Sequence, residues 1–160
     1  MTDNKSPQND GSQGGLEHVS KEGGLNKANV KEMEIYDIIE HDIKKFNLNM
    51  DPETTYSAIA HMVKQPQYRL IRANNTVLFM DNKGNGTADG LIFTADGPQT
   101  FVKTLMQLEK ALVVAGIQTM TFPSSGIAIE PLLKRAKINY TAKSVDLETG
   151  KGQIITVNAK

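Results

Sequence analysis

Residues 90–122 read GLIFTADGPQTFVKTLMQLEKALVVAGIQTMTF, and this stretch sets the architecture. Its first residues are a β-rich run that closes in Asp96-Gly97-Pro98. Either Asp96 or Gly97 suits a helix N-cap, and Pro98 fits the first turn because its missing N–H has no helical partner to lose. Phe101, Leu105, Leu108 and Leu112 then recur at helical spacing, which predicts a long helix with one apolar stripe. Gly116 suits a left-handed C-cap, and IQTMTF (117–122) returns to strand. A strand, a helix and a second strand in this order allow parallel pairing of the two strands.

Upstream lie two further strands. YRLIRA (68–73) and TVLFMD (76–81) flank Asn74-Asn75, and TADGLIFTA (87–95) follows DNKGNG (81–86). The last of these segments has the look of a calcium loop. In an EF-hand, however, positions three and twelve are oxygen ligands, and counting from Asp81 they are Lys83 and Ile92. A P-loop needs a Lys-Ser/Thr pair and a following helix, and both are missing. Asn85-Gly86 is a hairpin signal, since both residues tolerate positive φ. The segment reads as a turn.

Before the strands come two helices. Val30 to Phe46 carries Ile35, Ile39, Ile43 and Phe46, with Ile38 beside them, and Asp51-Pro52 opens a second helix lined by Tyr56, Ile59, Ala60 and Val63. After residue 122, Ser124-Ser125 leads into a helix from about Ile127 to Lys137. Leu132, Leu133 and Ala136 face inward there, and Glu130 pairs with Lys134 on the outside. NYTAKSVDL, ETGKG and QIITV close the chain as an antiparallel hairpin. The fold class is α+β, a mixed and mostly antiparallel sheet flanked by helices.

Residues 1–29 have no aromatic residue and two Gly-Gly pairs. Such a segment buries too little apolar surface to offset its ordering entropy, so a flexible polar arm (1–29) is expected before a domain spanning 30–160. With 160 residues the chain suits one ordinary core, and 18 acids against 18 bases give no field favouring nucleic acid. No cysteine means no disulfide, thiolate metal site or thiol nucleophile. No apolar run reaches the length of a membrane span, and the polar start lacks a signal peptide's apolar region. His41 and His61 lie on separate helices without a carboxylate pattern, and no metal site is expected. Ser124-Ser125-Gly126 lacks the nucleophile elbow and reads as helix capping. Tyr140 packs, and Met62, Met106 and Met120 fill the core.

The element order, together with the 90–122 stretch and IEPLLKRAKINYTA (129–142), resembles the GNAT fold of acyl-CoA-dependent N-acetyltransferases over roughly residues 30–157. Lys137-Ile138-Asn139 stands where the family usually ends its late helix in a GF-type pair. The resemblance implies a cofactor turn at Thr94, Ala95, Gly97, Gln99 and Thr100, whose N–H groups would hold the pyrophosphate of acetyl-CoA. This turn keeps one glycine, lacks the family's basic residue and carries Asp96 and Pro98. An aspartate seated at the helix N-terminus would repel a diphosphate by about 1 to 4 kcal/mol.

The reading that follows is a degenerate, phage-type GNAT-like protein with no cofactor and no catalytic residues, working by protein–protein binding in a bacteriophage virion or its assembly. Its partners would be other protein subunits, virion proteins met through the arm or further copies of the chain, without nucleic acid or a membrane span. Its location would be the virion or the host cytoplasm. The alternatives are an active acetyl-CoA-dependent N-acetyltransferase with an atypical cofactor turn, and a soluble regulatory module.

Overall fold

The computed structural model describes residues 16–18, 32–124, 128–147 and 150–160. Among the described residues seven strands form one sheet in the order β1-β2-β3-β4-β5-β7-β6. These are β1 (Leu16–His18), β2 (Tyr68–Ala73), β3 (Thr76–Gly84), β4 (Thr87–Thr94), β5 (Thr119–Ser124), β6 (Asn139–Leu147) and β7 (Gly150–Asn158). The helices are α1 (Ile35–Lys45), α2 (Pro52–Met62), α3 (Pro98–Val114) and α4 (Ile129–Arg135). β1 runs parallel to β2 and β4 parallel to β5, and the other pairings are antiparallel. The mixed, mostly antiparallel sheet matches the expected class.

Alternation along the central strands divides the core between two faces. Val77, Phe79 and Phe93 pack with Ile38, Ile39, Ile43 and Ile59 of α1 and α2. Leu78 and Met80 point the other way, to Phe101, Leu105 and Leu108 of α3 and Leu133 of α4. With helices on both sides, β3 is buried from Thr76 to Met80 without a polar face.

Local chemistry sets the element ends. The Asp51 carboxylate accepts from the Thr54 N–H at 2.8 Å and caps α2. Gly116 takes φ +79° just after α3. Lys137 takes φ 59° at the end of α4, the conformation a glycine would supply more cheaply. Asn85 and Gly86, at φ 55° and 76°, form the hairpin turn between β3 and β4. Gly86→Val is therefore expected to cost about 1 to 3 kcal/mol through strain at positive φ, read as a lower urea midpoint, and calcium should not move the melting temperature of either protein. A calcium-dependent rise would contradict the turn reading.

Several expectations need correction. α1 spans Ile35–Lys45 and α4 spans Ile129–Arg135, so Phe46 and Lys137 lie beyond the helices that were expected to include them. In α2 only Ile59 is fully buried; Tyr56 is exposed and meets Tyr36 edge-on at 5.6 Å. Met106 is exposed, not core. Glu130 accepts from the Tyr140 hydroxyl and from Gln153, tying α4 to the last hairpin, and those two bonds hold its carboxyl below the usual range. Of the arm (1–29), only Leu16–His18 lies among the described residues, and it forms a strand at the edge of the sheet beside β2. Val30, Ser125, Gly126 and Ile127 lie outside the described residues.

Candidate functional site

The chain turns from β4 into α3 through Ala95, Asp96 and Gly97. Asp96 does not cap the helix. Its Oδ1 accepts from the Asn75 N–H at 3.2 Å, and its Oδ2 accepts from the Thr76 and Thr104 hydroxyls at 2.7 and 3.1 Å. The Asp96 N–H donates to Thr94 Oγ1 at 3.0 Å, and the hydroxyls of Thr94 and Thr76 meet at 2.6 Å. Arg72 supports the same corner, donating to the Asn74 carbonyl and Asn75 Oδ1, both at 2.9 Å. Burial lowers the Arg72 pKa, while Glu32, Glu34 and Asp96 oppose that shift. The carboxylate is thus drawn under the start of α3 by donors from the β2–β3 turn and the second turn of the helix. This corrects the expectation of a built-in anion at the helix N-terminus.

What remains at that terminus is open. Gly97 is the N-cap and supplies no side-chain bond. Pro98 has no N–H to offer, and the Phe101 N–H returns to the Gly97 carbonyl at 2.8 Å. The Gln99 and Thr100 N–H groups at N2 and N3 receive no side-chain cap, and both residues are exposed. Gly97 is exposed, with no atom within 4 Å of where a Cβ would stand, so its backbone is free to be approached. Among the residues the resemblance proposed, Gly97, Gln99 and Thr100 form this rim. Thr94 is buried in the network beneath it, and Ala95 donates to Asn75 O at 2.8 Å.

Beside the rim the sheet splits. The β4–β5 ladder pairs Thr87 with Thr119, Ala88 with Met120 and Asp89 with Thr121, and then the strands part. β4 continues to Thr94 and β5 to Ser124. The Ala95-to-Asn75 bond fixes the phase of β4: Leu91 and Phe93 bond β3, so the N–H and C=O groups of Gly90, Ile92 and Thr94 face the seam. Gly90 marks its apex, where a Cβ would lie 3.0 Å from both Leu78 Cδ1 and Met120 Sδ. Behind the seam, on the α3 side, Ile92, Met120, Phe122 and Leu105 line an apolar cavity of about 20 Å3.

One acidic side chain is buried on the other face of the sheet. Asp42 of α1 is 7% exposed, on the helix face it shares with Ile38, Ile39 and Ile43. Burial pushes its carboxyl up to about 7, against the opposing pull of Lys45 and of the Thr94 N–H. Sequence reasoning missed this residue, although its spacing from Ile38 and Ile39 places it on the buried stripe of α1.

The remaining candidates are quiet. His41 and His61 are both exposed, and among the described residues no group of three or more His, Cys, Asp or Glu side chains is placed to hold a metal. Among the described residues no helix is long and apolar enough to cross a membrane.

No protein-family model matches the chain, and no curated protein matches it. Solved structures do. A Tetrahymena Gcn5 structure covers 79% of this chain and 86% of its own at 9% identity, with a TM-score of 0.51. A putative acetyltransferase of the GNAT family from Desulfovibrio desulfuricans covers 78% of this chain and 89% of its own at 17% identity, with a TM-score of 0.50. A putative acetyltransferase from Salmonella typhimurium, yncA, covers 81% and 91% at 10% identity and a TM-score of 0.49, and is described with its cofactor acetyl-CoA. The expectation of no cofactor is corrected on the chain's own geometry. It rested on Asp96 blocking the helix N-terminus, and Asp96 is turned away from it. The described residues have a GNAT-like, acetyltransferase-like fold.

Proposed function

We propose that the domain binds acetyl-CoA or a related acyl-CoA along the seam and serves as an acyltransferase toward an amine. One observation carries this reading: the split between β4 and β5 opens beside an uncapped α3 N-terminus. An open strand edge accepts an extended chain carrying amides, as in β-strand addition. The Gly90, Ile92 and Thr94 edge offers such a row, and the Gln99 and Thr100 N–H groups, with the positive end of the helix dipole, suit a diphosphate. Pro98 leaves this turn with fewer donors than the family's, so affinity should be modest. When bound, the cofactor supplies an activated thioester for acyl transfer. The protein's part is to align it against β4 and to exclude water with the apolar floor behind the seam.

Titration calorimetry with acetyl-CoA tests the reading. A stoichiometric dissociation constant below about 100 μM is expected, roughly −5.5 kcal/mol. Thr100→Pro, which deletes one rim donor, should weaken it at least fivefold. Absence of binding at millimolar ligand would overturn the reading.

A second reading, protein docking in a virion or another assembly, draws on the outer face of α3. Met106, Val113 and Val114 are exposed there, Val114 at 88%. Sedimentation of the purified protein, with Val113→Ser and Val114→Ser as controls, would separate a self-associating face from a bare one.

A further inference from the structure

Thr104, on the second turn of α3, is fully buried, and its hydroxyl is a branch point. It accepts from Asn74 Nδ2 at 2.8 Å and faces two acceptors, Asp96 Oδ2 at 3.1 Å and the Thr100 carbonyl at 3.0 Å. One hydroxyl proton serves both. Asp96 in turn accepts from the Asn75 N–H at 3.2 Å and the Thr76 hydroxyl at 2.7 Å. Helix formation does not call for these bonds. Threonine is a poor residue inside a helix, and bonding back to the carbonyl four residues earlier slightly destabilises one. A valine would fill the same space among the neighbouring Phe101, Leu105 and Leu108. What the bonds do fix is the pose of Gly97 to Thr100. That rim has no side-chain cap of its own, and a Cβ at Gly97 would meet nothing within 4 Å. It is tied from beneath at both ends, by Asp96 just before Gly97 and by Thr104 through the Thr100 carbonyl.

We propose that Asp96 and Thr104 are positioning residues for the acyl-CoA diphosphate: they clamp both ends of the rim to the β2–β3 turn and hold the Gln99 and Thr100 N–H groups in aim. The inference rests on the acyl-CoA reading and adds the buried residues that set its affinity. Donors fixed in advance pay little ordering entropy when the ligand arrives, whereas a loose first turn must be ordered by the ligand itself. With Pro98 already removing one donor, the aim of the remaining two carries more of the binding. The sign is opposite to that of a charge argument. An acid near a diphosphate would weaken binding by repulsion, and removing it should then help. In the clamp, removing Asp96 loosens the donors and binding falls.

Calorimetry with acetyl-CoA on the full chain compares wild type with Thr104→Val, Thr104→Ser and Asp96→Ala. Valine keeps the shape and removes the hydroxyl, and serine keeps the hydroxyl. Thr104→Val and Asp96→Ala should each bind about tenfold more weakly than wild type, and Thr104→Ser should stay within about threefold of it. A ligand-free measurement separates aim from general stability. The Phe101 N–H closes the rim on the Gly97 carbonyl, and Leu112 lies two turns beyond Thr104. In both weakened variants amide exchange at Phe101 should quicken about tenfold more than at Leu112. Thr104→Val binding as tightly as wild type, Thr104→Ser binding as weakly as the valine variant, or Asp96→Ala binding more tightly would each overturn the clamp and leave the acyl-CoA reading standing. Equal quickening at Phe101 and Leu112 would also overturn it, since the network would then stabilise the fold as a whole. No binding by any of the proteins, wild type included, would overturn both.

Discussion

Leu105→Ala is expected to destabilise the fold by about 3 to 5 kcal/mol, the upper part of the range for a buried leucine. Leu105 is 4% exposed and belongs to the larger core cluster, between the sheet and α4. It also lines the cavity of about 20 Å3 behind the seam. Removing its isobutyl group would merge the new void with that one. Leu78 and Phe122, held in paired strands, have little freedom to move in and fill it. Urea denaturation with an unchanged slope would give the loss directly. Val114→Ser, at the last residue of the same helix and 88% exposed, should change stability by less than about 0.5 kcal/mol. A Leu105→Ala cost below 1 kcal/mol would mean that the helix presents a different face to the sheet.

The phase of α3 was legible because its information is local. Phe101, Leu105, Leu108 and Leu112 repeat at helical spacing, and Pro98 and Gly116 mark the ends in one dimension. The same holds for the Asp51 cap and the Asn85-Gly86 turn, each a property of a few adjacent residues. Met106 was misread because hydrophobicity was taken for burial; it follows Leu105 directly, so about 100° of helical rotation turns it outward. The Leu16–His18 strand was missed because three residues carry no usable period, and their pairing with Leu70, Ile71 and Arg72 is wholly non-local.

The site was legible only as a position. Asp96-Gly97-Pro98 correctly marks where α3 begins, but the direction of the Asp96 carboxylate depends on Asn75 and Thr76, about twenty residues earlier, and on Thr104. Three converging donors outweigh the two N–H groups left at the helix end, and no local pattern contains that competition. The seam is likewise a matter of how far two strands run together. A signal for Asp42 did exist: an acid inside an Ile38, Ile39, Ile43 stripe conflicts with its neighbours, and such conflicts concentrate where a fold carries something besides stability.

That conflict has a thermodynamic consequence that needs no ligand. A carboxyl whose folded-state pKa is raised binds its proton more tightly in the folded protein than in the unfolded chain. Stability is therefore greatest below the unfolded value and falls as pH rises toward the folded one. For Asp42 the interval runs from 3.8 to about 7, with an upper limit of roughly 4 kcal/mol across it. Asp51, Asp81 and Glu130 have the opposite sign, their carboxyls being lowered by hydrogen bonds, so their contributions are complete by about pH 5. The window from pH 5 to pH 8 isolates Asp42. Wild type should lose about 2 to 3 kcal/mol more than Asp42→Asn over that window, and at pH 8 the variant should be the more stable protein by about 2 to 4 kcal/mol. Asparagine matches aspartate in shape, so the gain would come from removing a buried charge rather than from a new contact. Parallel urea titrations at the two pH values would show it as diverging midpoints. Midpoints that move together would place the Asp42 carboxyl in water.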